Sequence, residues 1–231
     1  MAIIGATIMA VFVCKLIKKD GRNMEIDDWF SCVLVSALGV LAGSHLLYGI
    51  TNISYWGALK EATWDNLWPV IKVIFGGSVF YGGLIVGLIT YYIMLKHKRF
   101  RGQRLETESV RYYLNLAGIG IPLFHGFARI GCFLGGCCYG IDNFPVQLLE
   151  SAVEFGLFFL MFVLYRKGKK YILECYLMLY AVARFFIEFL RGDQIRGFVG
   201  VLSTSQFISV IVLAVCGFIL FREVHMEKNK Q

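Results

Sequence analysis

Long, nearly uninterrupted apolar runs recur along this chain and limit its fold more than any other feature. A bilayer core takes about 20 consecutive apolar residues per crossing helix, and several stretches here meet that length. Of 231 residues, 58% are hydrophobic and only 17% are charged, where a soluble domain carries about a quarter. The expectation is an all-α integral membrane protein built as a single transmembrane helical domain over residues 1–231. Seven transmembrane helices are predicted, at about residues 2–17, 29–50, 70–95, 109–134, 146–165, 171–190 and 203–221.

The first run is followed by Lys15, Lys18 and Lys19 rather than a small-residue cleavage site, so it reads as a retained span and not a signal peptide. Asp27 and Asp28 offer N-cap chemistry to the second span. Ala42-Gly43-Ser44-His45 inside that span is polar for its depth. Tyr55, Trp56, Trp64 and Trp68 mark residues 51–69 as an interfacial segment. The third span carries five glycines between Phe75 and Gly87, which permit either tight helix packing or a broken helix.

A net charge of +7 raises the question of nucleic acid. The basic residues instead gather in short loops between apolar runs, which matches membrane topology and implies no nucleic-acid partner. Four follow span one, five span three and four span five, and three lie in the tail; the opposite side holds Lys60, Arg191 and Arg196. The richer side is expected in the cytoplasm, which puts the N-terminus outside and the C-terminus inside. Arg129 and Arg184 then both lie toward the outer ends of their helices.

The stretch His125-Gly-Phe-Ala-Arg129-Ile-Gly-Cys132-Phe-Leu-Gly-Gly-Cys137-Cys138-Tyr-Gly140 places a charge, a titratable ring and three thiols at the end of an apolar run. Helical spacing puts His125, Arg129 and Cys132 on one face, and an ionisable residue at membrane depth is a functional candidate by default. Arginine stays charged and offers a planar fork of donors suited to phosphate. Arg129, Arg184 and Arg191 on one side of the membrane therefore point to a site for a phospholipid headgroup. Glu188, one turn after Arg184, and Glu150 are counter-ions, orienting groups or a base; the alternative is ion pairs that merely join helices. His125 is a general base, a proton relay or a hydrogen-bonded structural residue. Tyr81, flanked by glycine, donates to an oxyanion or anchors packing. Cys14, Cys32, Cys175 and Cys216 read as small buried hydrophobes. The Cys132-x4-Cys137-Cys138 spacing matches no familiar zinc pattern, so no metal is expected, and the vicinal pair leaves a redox role open. No nucleotide loop, paired-carboxylate metal site or cofactor motif is present in the sequence.

Four motifs then occur in order: Phe-Tyr81-Gly82-Gly83-Leu-Ile-Val-Gly, Ala-Arg129-Ile-Gly-Cys132-Phe-x-x-Gly-x-x-Tyr-Gly140, Pro145-x-Gln147-x-x-Glu150, and Tyr180-x-x-x-Arg184-x-x-x-Glu188-x-x-Arg191. The series resembles the prolipoprotein diacylglyceryl transferase family from about residue 39 onward. The resemblance implies a seven-helix fold in the bacterial inner membrane, with the active site toward the extracytoplasmic face. It also implies transfer of the diacylglyceryl group of phosphatidylglycerol, or another anionic phospholipid, to the lipobox cysteine of a prolipoprotein, with release of glycerol phosphate.

By that resemblance Arg129 and Arg184 fall on essential arginines, Gly140 on the motif glycine and Tyr180 on a tyrosine one turn before the second arginine. His125 and Tyr81 join the arginines as catalytic candidates. Gly82, Gly83, Cys132, Gly140, Gln147, Glu150, Tyr180, Glu188 and Arg191 are substrate-binding candidates. The chain departs from the family pattern at Tyr81, where a histidine is usual, at Cys132 in place of asparagine, and in the reduction of an extracytoplasmic insertion to Ile-Asp-Asn-Phe before Pro145. The alternatives are a paralogue that serves another acceptor or only binds lipid, and a thiol oxidoreductase using Cys137 and Cys138.

Overall fold

The computed structural model describes residues 1–22, 26–100, 102–192 and 198–228; Arg101, Arg196 and Lys230, counted above among the loop cations, lie outside them. The described chain is helical almost throughout. Eight α-helices follow one another: α1 (Ala2–Lys19), α2 (Ile26–Thr51), α3 (Leu67–Phe75), α4 (Phe80–His97), α5 (Thr107–Leu134), α6 (Val146–Arg166), α7 (Ile172–Ile187) and α8 (Thr204–Lys228). Short 3-10 turns cover Ile53–Glu61, Ile141–Asn143 and Glu188–Leu190. Two small antiparallel hairpins pair Arg99–Phe100 with Gln103–Arg104 and Phe198–Val199 with Leu202–Ser203.

Among the described residues, α2, α5, α6 and α8 are each long and apolar enough to cross a membrane, and α3 with α4 make a fifth, broken candidate. Many of their large apolar side chains face outward, among them Leu38, Phe159 and Phe218, as expected where lipid replaces water. α1 carries Lys15 and its last-turn Lys18 and Lys19, and α7 has only 16 residues, about 24 Å of helix.

The chain forms two compact units, Asn23–Glu106 and Met1–Arg22 with Thr107–Gln231. In the first, α2 packs along α4. Asp27 and Asp28 lie inside the first turn of α2 rather than capping it, where their charge still favours the positive end of the helix dipole. Lys98 returns to Asp28 at 3.1 Å, and the Trp29 indole donates to the Tyr91 hydroxyl at 3.1 Å.

The expected continuous span over about 70–95 is broken instead: α3 and α4 meet at 91° across Gly76–Val79. The physical reason is a supply of substitute partners for the opened backbone. His45 Nδ1 sits 2.7 Å from the Phe75 carbonyl and 2.8 Å from that of Gly77, so this nitrogen carries the proton and donates to both. The Val79 amide donates to the Ser44 carbonyl at 3.0 Å. Polar Ser44-His45 inside an apolar helix is thus explained by the break it supports.

Beyond the break, α2 and α4 touch backbone to backbone. A Cβ on Gly43 would lie 2.4 Å from the Gly82 carbonyl oxygen, and one on Gly82 would lie 2.3 Å from that of Gly43. Neither atom can swing away as a side chain can. Gly43→Ala and Gly82→Ala should therefore each lose about 1–3 kcal/mol by forcing the helices apart. Gly217, with nothing within 4 Å of its would-be Cβ, should become neutral to about 1 kcal/mol more stable as alanine. Thermal unfolding of the three variants in detergent compares them directly.

In the other unit α5 is central, packing against α1, α6 and α7, while α7 also packs on α8. Gly118 lets α5 approach α7 closely, since a Cβ there would meet the Leu173 Cα at 2.7 Å. Asn115, one turn earlier, accepts the Ile172 amide proton at 3.0 Å and so caps the start of α7 from a neighbouring helix. α8 opens on a reciprocal capping box: the Ser203 amide donates to Gln206 Oε1 at 3.1 Å and the Gln206 amide to Ser203 Oγ at 3.2 Å.

Candidate active site

Three helices of the larger unit turn polar side chains inward at helical spacing. α5 contributes His125 and Arg129, α6 contributes Gln147, Glu150, Ser151 and Glu154, and α7 contributes Tyr176, Tyr180 and Arg184. The α5 and α7 sets step by four residues and the α6 set runs i, i+3, i+4, i+7, so each forms one stripe. All of these side chains are buried or nearly so, with Glu154 and Gln147 at 0% exposure and Glu150 at 2%.

The stripes join rung by rung. His125 Nδ1 lies 2.6 Å from Glu154 Oε1, and the Tyr176 hydroxyl donates to the other oxygen of Glu154 at 3.3 Å. One turn on, Arg129 Nη2 donates to Glu150 Oε2. Arg184 Nη1 reaches the same oxygen at 3.5 Å from α7, and the Tyr180 hydroxyl approaches Glu150 Oε1 at 3.5 Å. Arg184 also pairs with Glu188 at 2.8 Å and reaches Ser205 Oγ, at the start of α8, at 3.4 Å. The His125 and Tyr180 rings meet edge to face with centroids 5.5 Å apart.

Burial makes this assembly expensive to leave incomplete. An unpaired ion inside a protein costs several kcal/mol even after relaxation, so two guanidinium groups at 9% and 6% exposure need carboxylates as buried as themselves. Glu150 and Glu188 supply them, giving an alternating chain Arg129, Glu150, Arg184, Glu188. Arg129 keeps one buried donor in reserve: its Nε has no hydrogen-bond partner among the described residues.

The motif loop after α5 closes over the same end of these helices. Gly136, at φ 68°, ends α5, with its amide donating to the Phe133 carbonyl and the Cys137 amide to that of Cys132. Gln147, at the start of α6, donates to the Cys137 carbonyl at 2.6 Å. Gly140 pairs with Arg191 in an isolated bridge, and a Cβ on Gly140 would strike the Leu190 carbonyl oxygen at 2.7 Å. The motif glycine is thus needed for two backbones to touch. Arg129 Nη1 lies 3.8 Å from Cys132 Sγ, and Cys138 Sγ lies 3.6 Å from Cys137 Sγ. A hydrogen bond from Cys132, then one from Cys137 and the charges of Arg129 and Arg191, hold the Cys138 thiol down at about 5 despite burial.

Of the residues singled out in the sequence, Arg129, Arg184, His125, Gln147, Glu150, Tyr180 and Glu188 therefore come together, with Cys132, Gly140 and Arg191 in or beside the loop above them. Tyr81, Gly82 and Gly83 belong to the other unit, buried in the first turn of α4.

The sequence of the whole chain decides the family. The family described as "Prolipoprotein diacylglyceryl transferase" matches residues 1–222. The chain belongs to this family. A phosphatidylglycerol–prolipoprotein diacylglyceryl transferase of Clostridium tetani is 33% identical over 95% of this chain and 89% of its own length. A second, from Clostridium perfringens, is 30% identical over 99% of this chain and 91% of its own. One from Clostridioides difficile is 29% identical over 92% and 85%.

Within this family member, two partners in the polar ladder go unassigned by sequence reading alone: Glu154 and Tyr176. Their signal was there, since each repeats the polar stripe of its helix one turn from Glu150 or Tyr180. Ser205, which meets Arg184, gave no comparable signal.

Glu150 is the joint on which this geometry tests itself. Glu150→Ala should lower stability by about 3–5 kcal/mol, the usual loss when one member of a buried ion pair is removed. Adding Arg129→Ala to that variant should cost less than the two single losses summed, because the second change removes an ion already orphaned. Additive losses in thermal unfolding would show that the two groups do not share an interaction.

Proposed function

We propose that this protein transfers the diacylglyceryl group of phosphatidylglycerol to the lipobox cysteine thiol of a prolipoprotein. The acceptor sulfur attacks the glyceryl carbon that carries the phosphate ester, the carbon–oxygen bond breaks, and glycerol phosphate leaves with the bonding pair. The thiol proton passes to a base. The observation that carries the reading is the meeting of Arg129 and Arg184, from different helices, at one buried carboxylate.

Charge on the phosphate rises as the ester bond breaks, and fixed guanidinium donors in a site of low dielectric stabilise that change without reorganising. Glu150 keeps both guanidinium groups in place before lipid arrives. Arg129 Nε, buried and not engaged by any described residue, supplies the first new hydrogen bond to the phosphate. His125, oriented through Nδ1 by Glu154, acts as the base or relay for the thiol proton, the arrangement by which a carboxylate fixes an imidazole. Tyr81 takes the position where the family pattern has histidine and is a further catalytic candidate by that position alone. Gly140, Gln147 and Arg191 shape the loop against which lipid headgroup and peptide bind, with Cys132, Glu188 and Tyr180 lining the same end and Gly82 and Gly83 flanking Tyr81.

In this reading the chain is one transmembrane domain in the bacterial plasma membrane. α1, α2, the broken α3–α4 pair, α5, α6, α7 and α8 form seven spans. The N-terminus is outside, the C-terminus is cytoplasmic and the site faces the extracytoplasmic side. The distribution of Lys and Arg among the loops supports this orientation.

Purified protein in phosphatidylglycerol vesicles with a lipobox peptide tests the proposal. Mass spectrometry should find the peptide heavier by a diacylglyceryl group and an equal amount of glycerol phosphate released. Arg129→Lys and Arg184→Lys should each lower kcat by about 100-fold or more, the usual loss for one preorganised donor. Glycerol phosphate without modified peptide would mean that another acceptor is served, and full activity in both variants would remove the arginines from the chemistry.

A further inference from the structure

We infer that Cys132, Cys137 and Cys138 form a binding site for one thiophilic divalent cation, of which Zn2+ is the type. The inference does not rest on the transfer reading, although Arg129 and Cys132 border both sites.

Three features of the chain bring these thiols together. The first is the helix end. With Gly136 at φ 68°, the Gly136 amide bonds to the Phe133 carbonyl at 3.2 Å and the Cys137 amide to the Cys132 carbonyl at 3.1 Å. That pair of bonds defines a helix terminus in which the side chains three residues before and two after the cap are pressed together. Here those side chains are Cys132 and Cys137. The second is Cys138, whose φ of 63° turns the chain back so that its sulfur lies 3.6 Å from that of Cys137. The third is the anchoring of the turn from outside by Gln147, which holds the Cys137 carbonyl at 2.6 Å.

The resulting sulfur triangle has the dimensions of a coordination face. All three Sγ atoms lie within 4.8 Å of one another. A tetrahedral ion with metal–sulfur bonds of about 2.3 Å spaces its sulfurs about 3.8 Å apart. Small side-chain rotations bring the triangle to that edge length, whereas a disulfide requires a sulfur pair to close to about 2.0 Å. Three thiolates and a divalent ion carry a net charge of −1. The Arg129 guanidinium, 3.8 Å from Cys132 Sγ, balances it. Cys137 is exposed while Cys132 and Cys138 are half-buried, so an ion can enter from the Cys137 side. Binding takes all three sulfurs as thiolates and releases the remaining thiol protons to solvent. Three protein ligands leave the fourth position for water or another donor, the pattern of an open rather than a closed site.

The test uses the full chain in detergent, reduced and treated with chelator, then titrated with Co2+ as a spectroscopic stand-in for Zn2+. Thiolate-to-metal charge-transfer absorption should saturate at one ion per chain and disappear on adding Zn2+. Cys132→Ser and Cys138→Ser should each weaken binding by about 100-fold or more, since losing even an outer partner of a ligand costs about 10–100-fold. Cys175→Ser, on α7, should bind as the unaltered protein does. Size exclusion and thermal unfolding establish that each variant is folded, and if Cys132→Ser is not, the exposed Cys137→Ser gives the same comparison. Absence of the absorption, equal binding by the folded serine variants, or a disulfide within the three cysteines in protein alkylated directly in its membrane would each overturn the assignment.

Discussion

A single carboxylate, that of Glu150, holds two arginines from two other helices inside the protein. The larger unit depends on that contact. Without it Arg129 could not be buried as deeply as it is, and Arg184 would lean on Glu188 instead. The helices that carry them would then be joined mainly by apolar contacts, which do little to fix register where lipid is as apolar as the core. The His125–Glu154 pair repeats the arrangement one turn away, so α5 and α6 are locked at two successive rungs and cannot slide or rotate independently. Tyr176 and Tyr180 on α7 approach the same two carboxylates and extend the lock to a third helix.

The backbone devices at helix ends place the rest. Asn115 receives the first amide of α7, Ser203 and Gln206 close the start of α8, and Gly136 turns the chain out of α5. Each satisfies polar groups that a membrane interior would leave costly. Together they fix where the loop bearing Gly140 crosses Arg191. In the smaller unit the same requirement explains a feature that looks opposed to helical order. The α3–α4 break exposes carbonyls, and His45 answers them. Its position inside a span reflects that structural task.

Much of this was legible in the sequence, for identifiable reasons. Residues that are expensive at depth stand out in apolar runs, so Arg129, Arg184, Glu150 and His125 could be selected and their helical faces assigned. Their pairing could not. Helical spacing states which residues share a face of one helix and is silent on which faces meet, so Glu154 was visible as a charge but not as the partner of His125. The break at Gly76–Val79 was open between two readings because glycines serve tight packing and helix breaking alike. The structure uses both, with Gly82 and Gly87 in packing against α2 and Gly76 and Gly77 at the break. The thiol cluster was hidden differently. Spacing rules for metal sites compare positions along the chain, whereas Cys132 and Cys137 are brought together by a left-handed glycine.

Buried ion networks are weak evidence for stability, because apolar residues of similar volume often do as well or better. The network here is therefore better understood through what it can exchange. Arg129 and Arg184 share one oxygen of Glu150, and the Arg129 Nε has no hydrogen-bond partner among the described residues. Under the proposed transfer, an incoming phosphate would bond to that nitrogen without displacing Glu150. Lipid phosphate would then be recognised next to α5 and its terminal loop, while α7 and α8 hold Arg184 in place through Glu188 and Ser205. The same end of α5 carries Cys132, so any change in charge at the thiols is felt first by the guanidinium that would meet the phosphate.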